Sequence, residues 1–242
     1  MVLLSHCIFI FTAIACSVSC AGVDCSHGWH LGENGLWGKC TLYESATRAP
    51  MMLRIPGLTD GGREIYQLTE HLDLMPTLIE AAGLSAIPRC PADGGLTIAT
   101  CTQGISLMPL LEPNAPPSIA VRNASLSLWP HPGVGAPKCV NGAPAVDAEG
   151  TPCAAEHGTL QFPGSMGFAL VLVTGQRYIE WVNMSYPSWT PKWDELRARE
   201  FYLNSSNDRN IGATGVATPA QEGEMEKLSA QLHRGWEANF LL

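Results

Sequence analysis

Between His27 and Lys39 the chain reads His-Gly-Trp-His-Leu-Gly-Glu-Asn-Gly-Leu-Trp-Gly-Lys, with glycines at 28, 32, 35 and 38. Glycine weakens the interior of a helix or strand. Four of them within eleven residues therefore exclude an ordinary core element, and require a backbone that turns tightly or passes close to something. Trp29 and Trp37 carry large apolar rings, and the sequence predicts that they anchor this loop by burial. His27, Glu33 and Lys39 would then be held at fixed points. The pattern is that of a site.

A chain of 242 residues has room for one sizeable core or slightly more. An apolar content of 46% with 15% charged residues excludes a disordered protein. The net charge of −8 and the absence of a basic patch exclude a general nucleic-acid binder, so any anionic ligand has to be held by a local group. Nine cysteines and three N-x-S/T sequons, at Asn123, Asn183 and Asn204, point to the secretory pathway and to a lysosomal or extracellular protein. The odd cysteine count leaves at least one thiol unpaired or bonded outside the chain.

Residues 1–22 form an apolar segment with two readings. Cys7 to Val18, ending in Ser19-Cys20-Ala21, has the form of a signal-peptide core and cleavage site. Ile8-Phe9-Ile10-Phe11 is equally rich in strand-forming residues. The run is too short for a stable membrane span. Met51 to Ile55, stopped by Pro56-Gly57, predicts a short buried strand. Asp73 to Gly83 predicts a helix, with Asp73 as N-cap, Pro76 in the first turn and Gly83 as the stop.

Prolines and glycines crowd residues 113–165, which read as a long irregular insertion. Cys139 and Cys153 offer a second disulfide to pin it, and His131 and His157 read as solvated loop residues. Phe168–Thr174 and Arg177–Val182 flank Gly175-Gln176 as a hairpin with a two-residue turn, and Glu200–Leu203 adds a third strand. Thr218-Pro219-Ala220-Gln221 has capping-box form. Met225, Leu228, Leu232, Trp236 and Phe240 then recur at helical spacing.

The glycine loop, the short helix and x-Pro that follow it, and the Asp73-Leu74-x-Pro76-Thr77-Leu78 helix resemble the sulfatases of the alkaline-phosphatase-like superfamily. Within that family they are nearest to its iduronate-2-sulfatase branch. The matching loop residues are His27, Gly28, Trp29, Leu31, Gly32, Glu33, Gly35, Trp37 and Lys39, with departures at Ser26 for a metal-binding Asp and at Asn34 for a His. The C-terminal hairpin, Glu200-Phe201-Tyr202 and Asn210-Ile211 resemble the small C-terminal subdomain of the same family.

The resemblance implies an α/β fold that is a partial alkaline-phosphatase/sulfatase-like fold with a small C-terminal antiparallel sheet plus helix. Residues 23–112 would be the back half of the catalytic domain, built on a parallel sheet, and 166–242 the C-terminal subdomain. It further implies a Cys90–Cys101 disulfide, a divalent cation (calcium) at His27 and Ser26, and sulfate contacts from His27 and Lys39 with Glu33 and Arg48 in support. A sulfated small molecule or sulfated glycan would be the ligand, and the N-terminal half a further partner.

The family nucleophile is a formylglycine made from a C/S-x-P-S-R motif. No cysteine or serine of these 242 residues stands in such a motif. Three functions stay open. The first is sulfate-ester hydrolysis, with a cation and a lysine neutralising charge on the sulfate oxygens. The second is a noncatalytic binding protein derived from a sulfatase, which Ser26 favours because a hydroxyl is a poor ligand for a hard cation. The third is a zinc site from Cys25, His27, His30 and Cys40, whose spacing is not a standard one.

Overall fold

The structure, a computed structural model, describes residues 9–15, 18–24, 27–91, 98–132, 163–185, 188, 190–204, 210–212 and 216–235. The chain divides into two compact units, one from residues 1–39 and 44–125, the other from residues 40–43 and 126–238.

In the first unit only two residues separate β1 (Phe9–Ala15) from β2 (Val18–Asp24). That is too few for the crossover a parallel neighbour needs, and the strands pair antiparallel, Phe9 opposite Asp24 and Ala15 opposite Val18. The glycine loop contains a second, minimal hairpin of β3 (His30–Leu31) and β4 (Trp37–Gly38). It leads through α1 (Glu44–Thr47) into β5 (Met51–Arg54), which pairs antiparallel with β2. The described strands of this unit are thus antiparallel where the resemblance implies a parallel sheet. Ile55 is buried as β5 ends.

A 3-10 turn (His71–Asp73) runs into α2 (Leu74–Ala81), which stops at Gly83, whose φ is 66°. Asp73 holds the N-cap position of α2, as expected, but its side chain makes no capping bond there. Its carboxylate accepts instead from the Glu70 N–H at 2.8 Å, while the Glu70 carboxylate accepts from the Asp73 N–H, so the capping box sits one turn earlier than the sequence predicts. α3 (Met108–Leu111) packs against α2, with Leu107 and Leu110 buried. Cys90 and Cys101 form a disulfide, and the Cys90 N–H donates to the Thr102 carbonyl beside it. Closing so short a loop stabilises by roughly 3 kcal/mol in the chain-entropy account.

The second unit is a four-stranded sheet in the order β6 (Ala124–Pro132), β7 (Pro163–Leu172), β8 (Arg177–Ser185), β9 (Thr190–Tyr202). β7, β8 and β9 are antiparallel. β6 lies inside the stretch that reads as irregular. Ala124-Ser125-Leu126-Ser127-Leu128 does alternate with period two, but Pro130 and Pro132 mask it, and an edge strand tolerates both.

The hairpin turn holds three residues, not two. The Leu172 N–H donates to the Gln176 carbonyl, with Gly175 at φ 85°. β9 starts ten residues before the predicted third strand because it is bulged. Trp181 pairs with Ala198, Val182 with Leu196 and Asn183 with Lys192, so unmatched residues of β9 break the alternation a sequence reader looks for.

Leu42, Ala169, Ile179 and Tyr202 form the core of this unit, with Tyr43, Trp129 and Trp181 packed on it. The buried guanidinium of Arg177 lies 4.7 Å from the Tyr43 ring centre and 4.1 Å from that of Tyr202. Burial lowers the Arg177 pKa, and burial together with the Glu200 carboxylate raises that of Tyr202. α4 (Pro219–Leu232) packs on β7 and β8 through Met225, Leu228 and Leu232, opened by the expected capping box of Thr218 and Gln221. Trp236, Phe240, Cys139, Cys153 and His157, and the side chain of His131, lie outside the described residues. Among the described residues no helix is long and apolar enough to cross a membrane.

Candidate functional site

The glycine loop is fixed by its backbone, not by its tryptophans. Trp29 is 55% exposed and Trp37 77%, so the predicted burial of these rings is wrong. The residue that is buried is His30, 0% exposed, whose Nδ1 lies 3.2 Å from the Glu33 carbonyl. Its imidazole replaces the tryptophan anchors as the apolar and polar plug of the hairpin. No sequence signal distinguished it from the histidine three residues before it.

The turn itself is a 3-10 segment over Glu33–Gly35, closed by Gly35 N–H to Gly32 O at 3.0 Å and Leu36 N–H to Glu33 O at 3.1 Å. Gly32, Asn34, Gly35 and Gly38 all have φ between 57° and 116°. That is the left-handed region, open to Gly and tolerable for Asn. Asn34 is thus explained by conformation.

Gly28 serves a different need. Its N–H donates to the Ala46 carbonyl at 2.7 Å, and a Cβ built on it would fall 2.0 Å from the Ser45 carbonyl oxygen. The entrance of the loop is therefore pressed against α1, and only glycine fits there.

Against that frame the predicted site residues divide. The His27 ring faces the Gly28 carbonyl through Nδ1 at 2.6 Å. A carbonyl only accepts, so Nδ1 is the donor in this bond, and Nε2 accepts only where it carries no proton. Lys39 directly follows Gly38, which pairs with His30; its ammonium is exposed and makes no hydrogen bond or ion pair among the described residues. No bond joins His27 to Lys39. They stand on the two legs of one small hairpin.

Glu33 is turned back on the hairpin. Its Oε2 accepts from the Leu31 N–H at 2.6 Å, and these backbone donors hold its carboxyl below the usual range. Arg48 pairs with Glu44 at 2.9 Å on the exposed face of α1. Neither side chain is brought to His27 or Lys39 by a bond.

Ser26 and Cys25 lie outside the described residues. Among the described residues no three His, Cys, Asp or Glu gather where a metal could be held, and Cys40 is an exposed free thiol, so the zinc reading finds no support in His27, His30 and Cys40. A hard cation such as calcium takes six or more oxygen ligands. Glu33 has committed its carboxylate to the backbone and so does not stand among such ligands in this arrangement.

A family model for the C-terminal part of N-sulphoglucosamine sulphohydrolase matches residues 32–125. The chain is 34% identical over 110 residues to iduronate 2-sulfatase of Mus musculus, a match covering 36% of this chain and 20% of that protein. It is 35% identical over 79 residues to choline-sulfatase of Rhizobium meliloti, covering 33% of this chain and 15% of that protein. The chain thus spans a minor part of the length of the relatives it matches. A solved structure of a protein in complex with its substrate D-glucosamine-2-N,6-O-disulfate superposes with a TM-score of 0.53 over 89% of this chain and 34% of that one, at 18% identity. The chain carries a partial, C-terminal-like piece of the sulfatase fold and is distantly related to the sulfatases, iduronate 2-sulfatase among them.

Proposed function

We propose that this chain forms the sulfate-holding side of a sulfuric-ester hydrolase site whose ligand is a sulfated sugar. One observation carries the reading: a hairpin set by its own backbone holds out an ammonium, Lys39, that has no partner among the described residues, in the stretch where relationship to sulfatases is found. Lys39 would donate to one sulfate oxygen. His27 would donate to another only as imidazolium, because Nδ1 is committed to Gly28 and sulfate oxygens only accept. Charge on the sulfate oxygens grows as the ester breaks, so both groups act more strongly in the transition state than on the bound ester.

Glu33 stays out of contact with the anion and keeps the hairpin in shape. Arg48 stands in reserve on α1, tied to Glu44. The nucleophile, and the carboxylate ligands of a divalent cation, would come from outside these residues. A formylglycine supplies a geminal diol as the attacking group in this family, and no step through it rests on the residues described here.

A second reading is favoured by Ser26 and by the absence of the nucleophile motif from the 242 residues: a noncatalytic binder of the same sulfated ligands. Titration of the full chain with N-acetylglucosamine 6-sulfate and with its unsulfated parent separates the cases, run beside turnover of 4-nitrophenyl sulfate with calcium. Sulfate-dependent binding that falls at least tenfold in K39A supports the proposed site. Binding without turnover selects the noncatalytic form, whereas turnover abolished by H27A selects the hydrolase. Equal affinity for the sulfated and unsulfated sugars would remove both.

A further inference from the structure

The tryptophans of the glycine hairpin stand in solvent, and the strand register explains why. Leu31 pairs with Trp37 and His30 with Gly38. Side chains alternate across an extended chain, so Leu31 and Trp37 share one face of the hairpin and His30 takes the other. Burial follows that division: His30 is enclosed, whereas Leu31 is 67% exposed and Trp37 more so. Trp29, one residue before β3 and two before Leu31, is exposed as well, which continues the alternation. The outer face of the hairpin is therefore apolar, made of two indoles and a leucine.

This face is held, not loose. The left-handed residues Gly32, Asn34, Gly35 and Gly38 set its backbone. The Trp37 indole lies along the tip, its Cζ2 3.8 Å from where a Cβ on Gly32 would stand. The Trp29 ring centre is 6.4 Å from that of His27. Tryptophan offers large contact area and loses little conformational freedom on contact, and a rigid apolar face left in solvent marks a contact surface.

Charge selects the occupant. Lys39 follows Trp37 by two residues, is exposed and has no hydrogen bond or ion pair among the described residues. The one carboxylate of the hairpin, Glu33, is bonded to the Leu31 N–H. Aromatic area thus adjoins an open cation. Its complement carries an anion at one end and has an apolar face with a rim that stays wet. A pyranose with equatorial hydroxyls has that form. Its hydroxyls lie around the rim, and its C–H bonds point from the two faces toward the electron-rich face of an indole. Because the platform is open, those hydroxyls keep their water.

We propose that Trp29, Leu31 and Trp37 form a stacking platform for the pyranose ring of a sulfated sugar, with Trp37 distinguishing the sugar ester from bare sulfate. The position of the anion rests on the sulfate-holding role of Lys39, whereas stacking needs no cation.

The test is titration of the full chain with N-acetylglucosamine 6-sulfate, N-acetylglucosamine and sodium sulfate. Nuclear magnetic resonance follows the indole N–H signals, which W29F and W37F identify. Both sugars should move these signals. W37A should weaken the sulfated sugar about tenfold, the scale of one ring face lost from apolar contact, and leave inorganic sulfate unchanged. W37F keeps a ring and should restore most of the affinity, while K39A should weaken both anions. Unchanged affinity of W29A and W37A for the sulfated sugar, with K39A still lowering it, overturns the platform and leaves the sulfate reading standing. Equal affinity for both sugars, lowered in W37A, supports the platform and removes the sulfate reading. Indole signals that neither sugar moves overturn the platform. So does a dimer of the free protein that W37A dissolves in sedimentation velocity, since the rings would then lie between two copies.

Discussion

Two charged regions of the first unit use their charges in opposite ways. Around Asp73 the charges are paired within the fold, with Arg122 Nε the one nitrogen of that guanidinium buried without a hydrogen bond among the described residues. Asp73 is 0% exposed; its Oδ1 accepts from Arg122 and from the Ile105 N–H at 2.8 Å, and its Oδ2 accepts from the Glu70 N–H. Arg122 reaches Glu70 as well, at 3.1 Å. Thr77 donates to the Asp73 carbonyl at 2.5 Å and accepts from the Leu107 N–H at 2.8 Å, which ties α2 to the start of α3.

In the hairpin of residues 27–39 the backbone is just as fixed, but the heads of Lys39 and His27 are not fully answered among the described residues. Lys39 ends in solvent and His27 has spent one nitrogen of two. A charge consumed inside the fold serves the fold. A charge left open on a rigid loop is available to a ligand. The resemblance places both regions in one family pattern, and only the geometry separates their roles.

The largest expected effect breaks the closed region. Asp73→Ala strands the buried guanidinium of Arg122 with Glu70 as its remaining carboxylate, and removes acceptors for two backbone N–H groups. A loss of ~3–5 kcal/mol is expected, the scale of a broken buried pair. Urea unfolding followed by circular dichroism measures it. A loss below about 1 kcal/mol, the range of an exposed pair, would show that the network is not closed and would erase the contrast.

A smaller effect attacks the open region through its frame. Gly28→Ala puts a methyl 2.0 Å from the Ser45 carbonyl oxygen, and backbone on backbone has little room to give. Overpacking of this kind costs about 1–3 kcal/mol. Because the clash lies at the loop entrance, hydrogen exchange should quicken in residues 28–38 before it does in α2. Uniform quickening across the unit would mean that the hairpin is part of the same closed structure as Asp73.

The contrast also marks what the sequence could convey. Glycine density at 28–38 located the rigid loop correctly, since backbone conformation is written in residue type. The capping box at Thr218 and the stop at Gly83 were legible for the same reason. Burial was not. Trp29 and Trp37 have the right chemistry for an anchor, yet which ring meets a neighbour is decided by contacts far along the chain, and His30 took that place. In the sequence Asp73 looks like a simple helix cap, because the partners of its carboxylate, Ile105 and Arg122, lie 32 and 49 residues away. β9 looks short in the sequence because its bulges interrupt the period on which strand recognition depends.

The smallest expected effect lies within the hairpin and concerns Glu33, the site candidate whose carboxylate faces its own backbone. Its carboxyl is held below the usual range first by the Leu31 N–H, with the buried His30 adding a weaker attraction. The sign follows from linkage. A folded-state pKa below the unfolded one contributes stability that is complete above the unfolded pKa and disappears as pH falls through the folded one. The Leu31 amide should therefore exchange faster relative to its intrinsic rate as pH drops below the ordinary carboxylate range, and Glu33→Gln should flatten that dependence while keeping an oxygen to accept the bond. Since Glu33 is exposed, salt and water screen it, and the change should be confined to the hairpin with global unfolding unmoved. An identical pH profile in E33Q would assign the rigidity of the loop to glycine conformation and His30 alone, and would leave Glu33 available to the ligand after all.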